Sequence, residues 1–325
     1  MLIDRSRSSR GTLLAVAGVV AVTLIIACIL AAMALSIVPT PEFGDDATRE
    51  SASVEQTAGD GGALVTVFDV GQGQAVAVIT PDGHAALIDS GRSQTRIEEE
   101  IVPYLHAHGV DALDYLILSH PDQDHVGGMP RVLELLPVGT WVDPAIPTTN
   151  QTYAQTLEMI LEAGISATLA RRGERFELGP GVELELLWPV DPLLTSGDEP
   201  DSNENSAVVR IRIGDVVVLD PGDLERGGEA ELVERDGDGL QADILIVGHH
   251  GSKSSSTADF LDAVDGDVAI ISSGLNNQYG HPHDEVLQRL RFRDYDIYRT
   301  DLDGTLEITS DGTDYSIAAL GPEVE

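Results

Sequence analysis

The stretch Ser119-His120-Pro121-Asp122-Gln123-Asp124-His125, with Gly127-Gly128 just beyond it, decides how this chain is read. It sets two imidazoles and two carboxylates within six residues. Residues 113–118 before it read as a short buried strand, and residues 129–136 after it as a helix. A strand that ends in a tight loop fixes side chains better than a free loop does. Groups this close repel or strand one another unless a cation organises them. Mixed nitrogen and oxygen ligation suits Zn, Mn or Fe rather than Ca or Mg. The competing reading is a solvated loop whose carboxylates cap a helix.

Further out, the histidines cluster. Of nine, six sit in three short motifs: His120 and His125, His249 and His250, His281 and His283. Asp223 follows the apolar run 216–219 in Asp220-Pro221-Gly222-Asp223; it is a ligand candidate, with an ordinary turn Asp as the alternative and Asp220 as its neighbour and competitor. Lys253 is the single lysine of a chain that otherwise uses arginine, and it lies three residues after the His pair. A compact ammonium there suits a phosphate or scissile oxygen; chance retention is the plain alternative.

The central pattern resembles the metal motif of the metallo-β-lactamase fold, whose usual form is His-x-His-x-Asp-His; here Asp122 takes the place of the second His. With its flanking segments it is similar to the hydrolase domain of the ComEC competence proteins. The matching segments are Phe68-Asp69-Val70-Gly71-Gln72-Gly73, Ala86-Leu87-Ile88-Asp89-Ser90-Gly91, Asn203-Glu204-Asn205-Ser206, Pro221-Gly222-Asp223, Gly248-His249-His250-Gly251-Ser252 and Tyr279-Gly280-His281-Pro282-His283. They occur in family order across residues 63–318.

The resemblance implies a four-layer αββα sandwich and two divalent metal ions, Zn or Mn. It implies His120, Asp122 and Asp223 on one metal, and Asp124, His125, the bridging Asp223 and His249 on the other. His249 is preferred because it directly follows Gly248; His250 is left to bind metal or substrate. The superfamily's isolated third-motif His is absent, and Asn203, Asn205 and Ser206 stand there instead. One departure concerns Gln74: the family's opening segment usually reads Gly-Gln-Gly-Asp, and here it reads Gly71-Gln72-Gly73-Gln74.

Two metals about 3.5–4 Å apart hold a bridging hydroxide and clamp a phosphodiester in line. Asp124 is placed to orient that hydroxide. His281 or His283 would touch the phosphate or protonate the leaving oxygen, unless they only lead into the helix that begins at Asp284. Asp89, ending a strand, is expected to orient metal ligands. Asn205, Ser206 and Ser252 are expected around the ligands or the substrate.

Composition bounds the rest. The net charge is −36 over 325 residues. An acidic, lysine-poor, aromatic-poor surface is that of haloarchaeal-type proteins, adapted to molar salt, where the Debye length shrinks to about 3 Å. The lone Cys28 leaves the hydrolase domain without disulfide or thiolate ligand.

Residues 1–10 read as a cytoplasmic tail with Arg5, Arg7 and Arg10. Residues 11–38 read as one membrane-spanning helix that keeps the domain outside the cytoplasm. A signal-peptidase site at Ala32-Met33-Ala34 or a lipoprotein box ending at Cys28 are the alternatives, giving a secreted or lipid-anchored protein. Residues 39–62 read as a disordered acidic linker, and 63–320 as the hydrolase domain. Period and propensity alone support a mixed α/β domain. Strands are expected at 64–69, 75–79, 85–88, 183–188, 207–213, 216–219, 244–247, 268–271 and 304–309. Helices are expected at 95–108, 152–163, 228–235, 257–264 and 284–291.

The functional expectation is a membrane-anchored, extracytoplasmic, dinuclear metal-dependent hydrolase acting on phosphodiesters. The resemblance implies DNA as substrate. One apolar segment cannot form a DNA pore, so any uptake role needs a separate membrane channel partner. The same fold acting on another ester, a lactone or a β-lactam is the second expectation, and a non-catalytic metal-binding module the third.

Overall fold

A computed structural model describes residues 62–321. The expected tail 1–10 and apolar segment 11–38, and all but the last residue of the linker 39–62, lie outside the described residues. Among those described, no helix is long and apolar enough to cross a membrane.

The strands, in chain order, are β1 Ala63–Val67, β2 Val76–Ile79, β3 Ala85–Ile88, β4 Leu113–Ile117, β5 Val138–Asp143, β6 Ser166–Leu169, β7 Arg175–Gly179, β8 Val182–Trp188, the two-residue pair β9 Thr195–Ser196 and β10 Glu199–Pro200, β11 Val208–Ile213, β12 Val216–Asp220, β13 Ile244–Ile246, β14 Val268–Ile271, β15 Asp296–Arg299, β16 Thr305–Ser310 and β17 Tyr315–Leu320. They form two large sheets, ordered β17-β16-β1-β2-β3-β4-β5-β6 and β15-β14-β13-β12-β11-β8-β7. Strands β3 to β6 run parallel in the first sheet, and β12 to β15 in the second.

Alternation along each central strand builds the layers, because successive side chains point to opposite faces. In β3, Ala86 and Ile88 enter the core between the sheets, whereas Ala85 and Leu87 pack outward against helices. In β14, Val268 and Ile270 face the other sheet, and Ala269 and Ile271 face the helices on their own side. Ile97, Ile101, Leu105, Val132 and Leu157 cover one sheet, and Leu232, Phe260, Leu261, Val286 and Leu290 the other. The result is the expected helix–sheet–sheet–helix stack. Burial on both faces explains why the central parallel strands β3, β12, β13 and β14 are near-continuous apolar runs.

The expected helix 95–108 runs through Gln94–Arg96, Ile97–Ile101 and Val102–Ala107, with its middle section in π-helical winding. A short helix, Gln123–Val126, sits inside the motif loop. Strands β5, β6, β7, β15 and β17 were not among the sequence expectations. Four of them are the outermost strands of the two sheets. Strands β6, β7 and β15 carry polar residues, so their apolar signal is weak, and β17 is mostly exposed.

Candidate metal centre

The candidate ligands, and Asp89 that orients one of them, gather where parallel strands end. Asp89 follows β3, His120 and His125 follow β4, Asp223 follows β12, and His249 and His250 follow β13. Parallel strands end on one edge of each sheet, so residues far apart in sequence meet there.

Four imidazoles turn their Nε2 atoms toward the Asp223 carboxylate. Nε2 of His125 lies 3.2 Å from Oδ1 of Asp223, and those of His250, His249 and His120 lie 3.5, 3.6 and 3.9 Å from Oδ2. In each ring the opposite nitrogen has its own partner. His125 Nδ1 donates to Asp89 Oδ2 (2.7 Å), His120 Nδ1 to Ser119 Oγ (3.0 Å), His250 Nδ1 to the Ser272 carbonyl (3.0 Å) and His249 Nδ1 to Glu225 Oε1 (3.1 Å). These bonds fix each ring with Nε2 as the nitrogen turned to the centre, the orientation a histidine ligand requires. Asp89 also accepts from the Ser119 amide (2.8 Å) and hydroxyl (2.6 Å), so its orientation is fixed.

Among the described residues, two groups of donors could each hold an ion: His120, His125 and Asp223, and Asp124, His125 and His250. Nε2 of His120 and Oδ1 of Asp223 are buried without a hydrogen-bond partner. Buried polar atoms in that condition are costly unless something binds them, and nitrogen with carboxylate oxygen suits a divalent transition metal. The residues therefore fit the two-metal expectation.

Electrostatics agree with a site built for positive charge. For Asp223, burial works against ionisation, but His250, His125 and His120 outweigh it and hold the carboxyl well below its usual range. Burial lowers His120, and the neighbouring His125 lowers it further. His125 is held well above its usual value, because Asp223 and Asp89 overcome the penalty of burial.

The backbone around the His pair is strained. His249 and His250 both adopt left-handed conformations, φ 52° and 55°. Gly73 is needed where it stands: a Cβ there would lie 2.3 Å from the Asp124 carbonyl.

Several expectations change. The second donor group contains His250, not His249: both rings reach Asp223, but His250 is buried and also comes within 3.7 Å of Asp124. His249 stays partly exposed beside Glu225. Asn205 does not face the centre; its amide is used on the Leu194 backbone (2.8 Å each way) and the Asp201 carbonyl (2.6 Å). Ser252 pairs with the Ser254 hydroxyl at 2.9 Å. His283 accepts the Lys253 amide at 3.1 Å and leads into helix Asp284–Arg291.

The remaining expected residues have these places. Asp122 is at the rim, 3.9 Å from His120 and hydrogen-bonded to Ser202. Asp124 Oδ2 is 3.7 Å from His250 Nε2. Ser206 Oγ accepts the Asp223 amide at 3.3 Å. His281 has its ring centre 5.6 Å from that of His249 and 6.2 Å from that of His250. Lys253 is exposed and forms no ion pair among the described residues. Glu225, Ser119 and Ser272 were missed; Ser272 acts through its backbone carbonyl, which no side-chain pattern announces.

The model of the metallo-beta-lactamase superfamily matches residues 69–274. The chain belongs to that superfamily. ComE operon protein 3 of Bacillus subtilis is 32% identical over 258 residues, covering 75% of this chain and 32% of the relative. Competence protein ComA of Neisseria gonorrhoeae is 37% identical over 245 residues, again covering 75% of this chain and 32% of the relative. The chain thus spans about a third of the length of these curated relatives. CmlA, a diiron beta-hydroxylase from Streptomyces venezuelae, superposes with a TM-score of 0.50 at 15% identity, over 77% of this chain and 54% of that one; it supports the fold alone.

Proposed function

We propose that this chain is a dinuclear metal-dependent phosphodiesterase acting on DNA, anchored in the membrane with its domain outside the cytoplasm. The observation that carries the hydrolase reading is the convergence of four Nε2 atoms on Asp223. The DNA reading is supported by the similarity to a competence protein. Zn or Mn, when bound, supplies Lewis acidity and lowers the pKa of water.

The side chains divide the remaining work. His120, Asp122 and Asp223 would hold one ion; Asp124, His125, His250 and Asp223 the other. Asp124, partly open to solvent, orients the attacking water. Burial, then the charges of His250 and His249, push His281 down to about 4, so at neutral pH it is an uncharged ring. It therefore serves as a hydrogen-bond donor to a phosphate oxygen rather than as a proton source. Lys253, whose backbone amide is bonded to His283, would offer an ammonium to the phosphate. The strongly acidic surface works against long-range attraction of DNA, but in molar salt little such steering survives. The run 11–38 supplies the anchor, and a separate membrane channel would supply any pore.

The test is hydrolysis by the full chain in molar KCl with Zn or Mn. Substrates are single-stranded DNA, bis(p-nitrophenyl) phosphate, a lactone and nitrocefin. Turnover of the first two, abolished by EDTA, is expected. Turnover of only the lactone or nitrocefin would reassign the substrate, and no turnover with metal bound would leave a non-catalytic module.

A further inference from the structure

Gln74 has no part in the chemistry above, yet it is among the most tightly held polar side chains of the domain. Its side-chain amide donates to Asp89 Oδ2 at 3.3 Å and lies 3.0 and 3.1 Å from the two oxygens of Asp220. Gln74, Asp89 and Asp220 are at most 2% exposed. The Gln74 backbone donates to the Asp124 carbonyl (3.2 Å) and accepts from Gly91 (2.7 Å). Asp220 accepts the Gly222 amide at 3.1 Å, in the turn that delivers Asp223.

We propose that Gln74 is a positioning residue that joins the two halves of the metal centre, tying Asp89, and through it His125, to Asp220 and the Asp223 turn. Two carboxylates buried side by side repel, and each needs a donor. A side-chain amide brings two N–H groups and no charge. An aspartate at position 74 would bring acceptors only and set a third carboxylate against the other two. The departure from the family's Gly-Gln-Gly-Asp segment therefore has a counterpart across the site: the carboxylate is supplied by Asp220 on β12, with Gln74 as its clamp. This inference rests on the metal-centre reading but not on DNA as substrate.

The test is a double-mutant cycle of Gln74→Met and Asp220→Asn in the full chain. Cobalt(II) is titrated against a chelator, its absorption spectrum is recorded, and the metal-free proteins are melted. Gln74→Met keeps the length of the side chain and removes both donors. It is expected to weaken cobalt binding at least about tenfold and to alter the cobalt bands. In the Asp220→Asn background the same change should cost less than about threefold, because one carboxylate is gone and the amide that replaces it brings its own donor. Wild-type affinity and spectrum in Gln74→Met, or strictly additive losses, would overturn the proposal. If Gln74→Met alone does not fold, a folded, cobalt-binding double variant supports it and an unfolded one refutes it. Failure of the wild type to bind cobalt would sink the metal-centre reading instead, and rescue or its absence in the metal-free melts would still decide the clamp.

Discussion

The Nδ1 of His250 donates to the Ser272 carbonyl at 3.0 Å, and this bond aims its Nε2 at Asp124 and Asp223. His249, its neighbour in sequence, is aimed by Glu225 from the exposed side. His250→Ala should therefore remove one equivalent of tightly bound metal, whereas His249→Ala should keep the stoichiometry. Metal analysis after dialysis distinguishes the two; the opposite pattern would return the ligand role to His249.

Asp223 belongs to the first donor group and lies beside the second, since every converging Nε2, that of His250 included, lies within 3.9 Å of it. Asp223→Asn should therefore lower bound metal more than any single histidine variant, with His125→Ala next. Retention of wild-type metal content by both variants would remove them from the ligand set.

Much of this was legible in the residues themselves. Strands β3, β12, β13 and β14 are near-continuous apolar runs, and their ends, with that of β4, mark the site. The outer strands β6, β7, β15 and β17 were not legible, because an edge strand needs only one buried face and can be short and polar. The choice between His249 and His250 was also out of reach. It depends on two consecutive left-handed residues and on a carbonyl 22 positions away. Nothing in the motif itself ranks the two rings.

Glu229 gives a test independent of the metal. Burial pushes its carboxyl up to about 7, although it accepts the Ser256 and Thr257 amides. The folded-state pKa lies above the ordinary value, so the folded protein binds the extra proton between roughly pH 4.5 and 7. Its contribution is fully present below that window and is lost as pH rises through about 7. Thermal melts from pH 5 to 8 should show the wild type losing several degrees relative to Glu229→Gln. Parallel curves would mean that the carboxylate is already ionised at pH 5.

Lys253→Arg tests the phosphate reading. A planar guanidinium cannot take the point-charge position of an ammonium. We expect kcat on a phosphodiester to fall at least about tenfold, about 1.4 kcal/mol of transition-state stabilisation, with metal content unchanged. Arg175→Lys, on the outermost strand β7, should do little. Wild-type kinetics in Lys253→Arg would make this lysine a surface charge.

Protease added to intact cells should degrade the chain beyond residue 39 and spare the N-terminal tail, because the arginines precede the apolar run. Cleavage only after lysis would reverse that orientation.

The left-handed backbone at His249 and His250 sets a trade-off between endurance and activity. Residues with side chains held in that region cost on the order of 1–3 kcal/mol each, and glycine escapes the cost. A chain with glycine at both positions should outlast the wild type when both are heated in EDTA, and lose that lead once metal is supplied. Selection for the fold alone would discard both histidines, so their presence is a signature of selection for what the centre does.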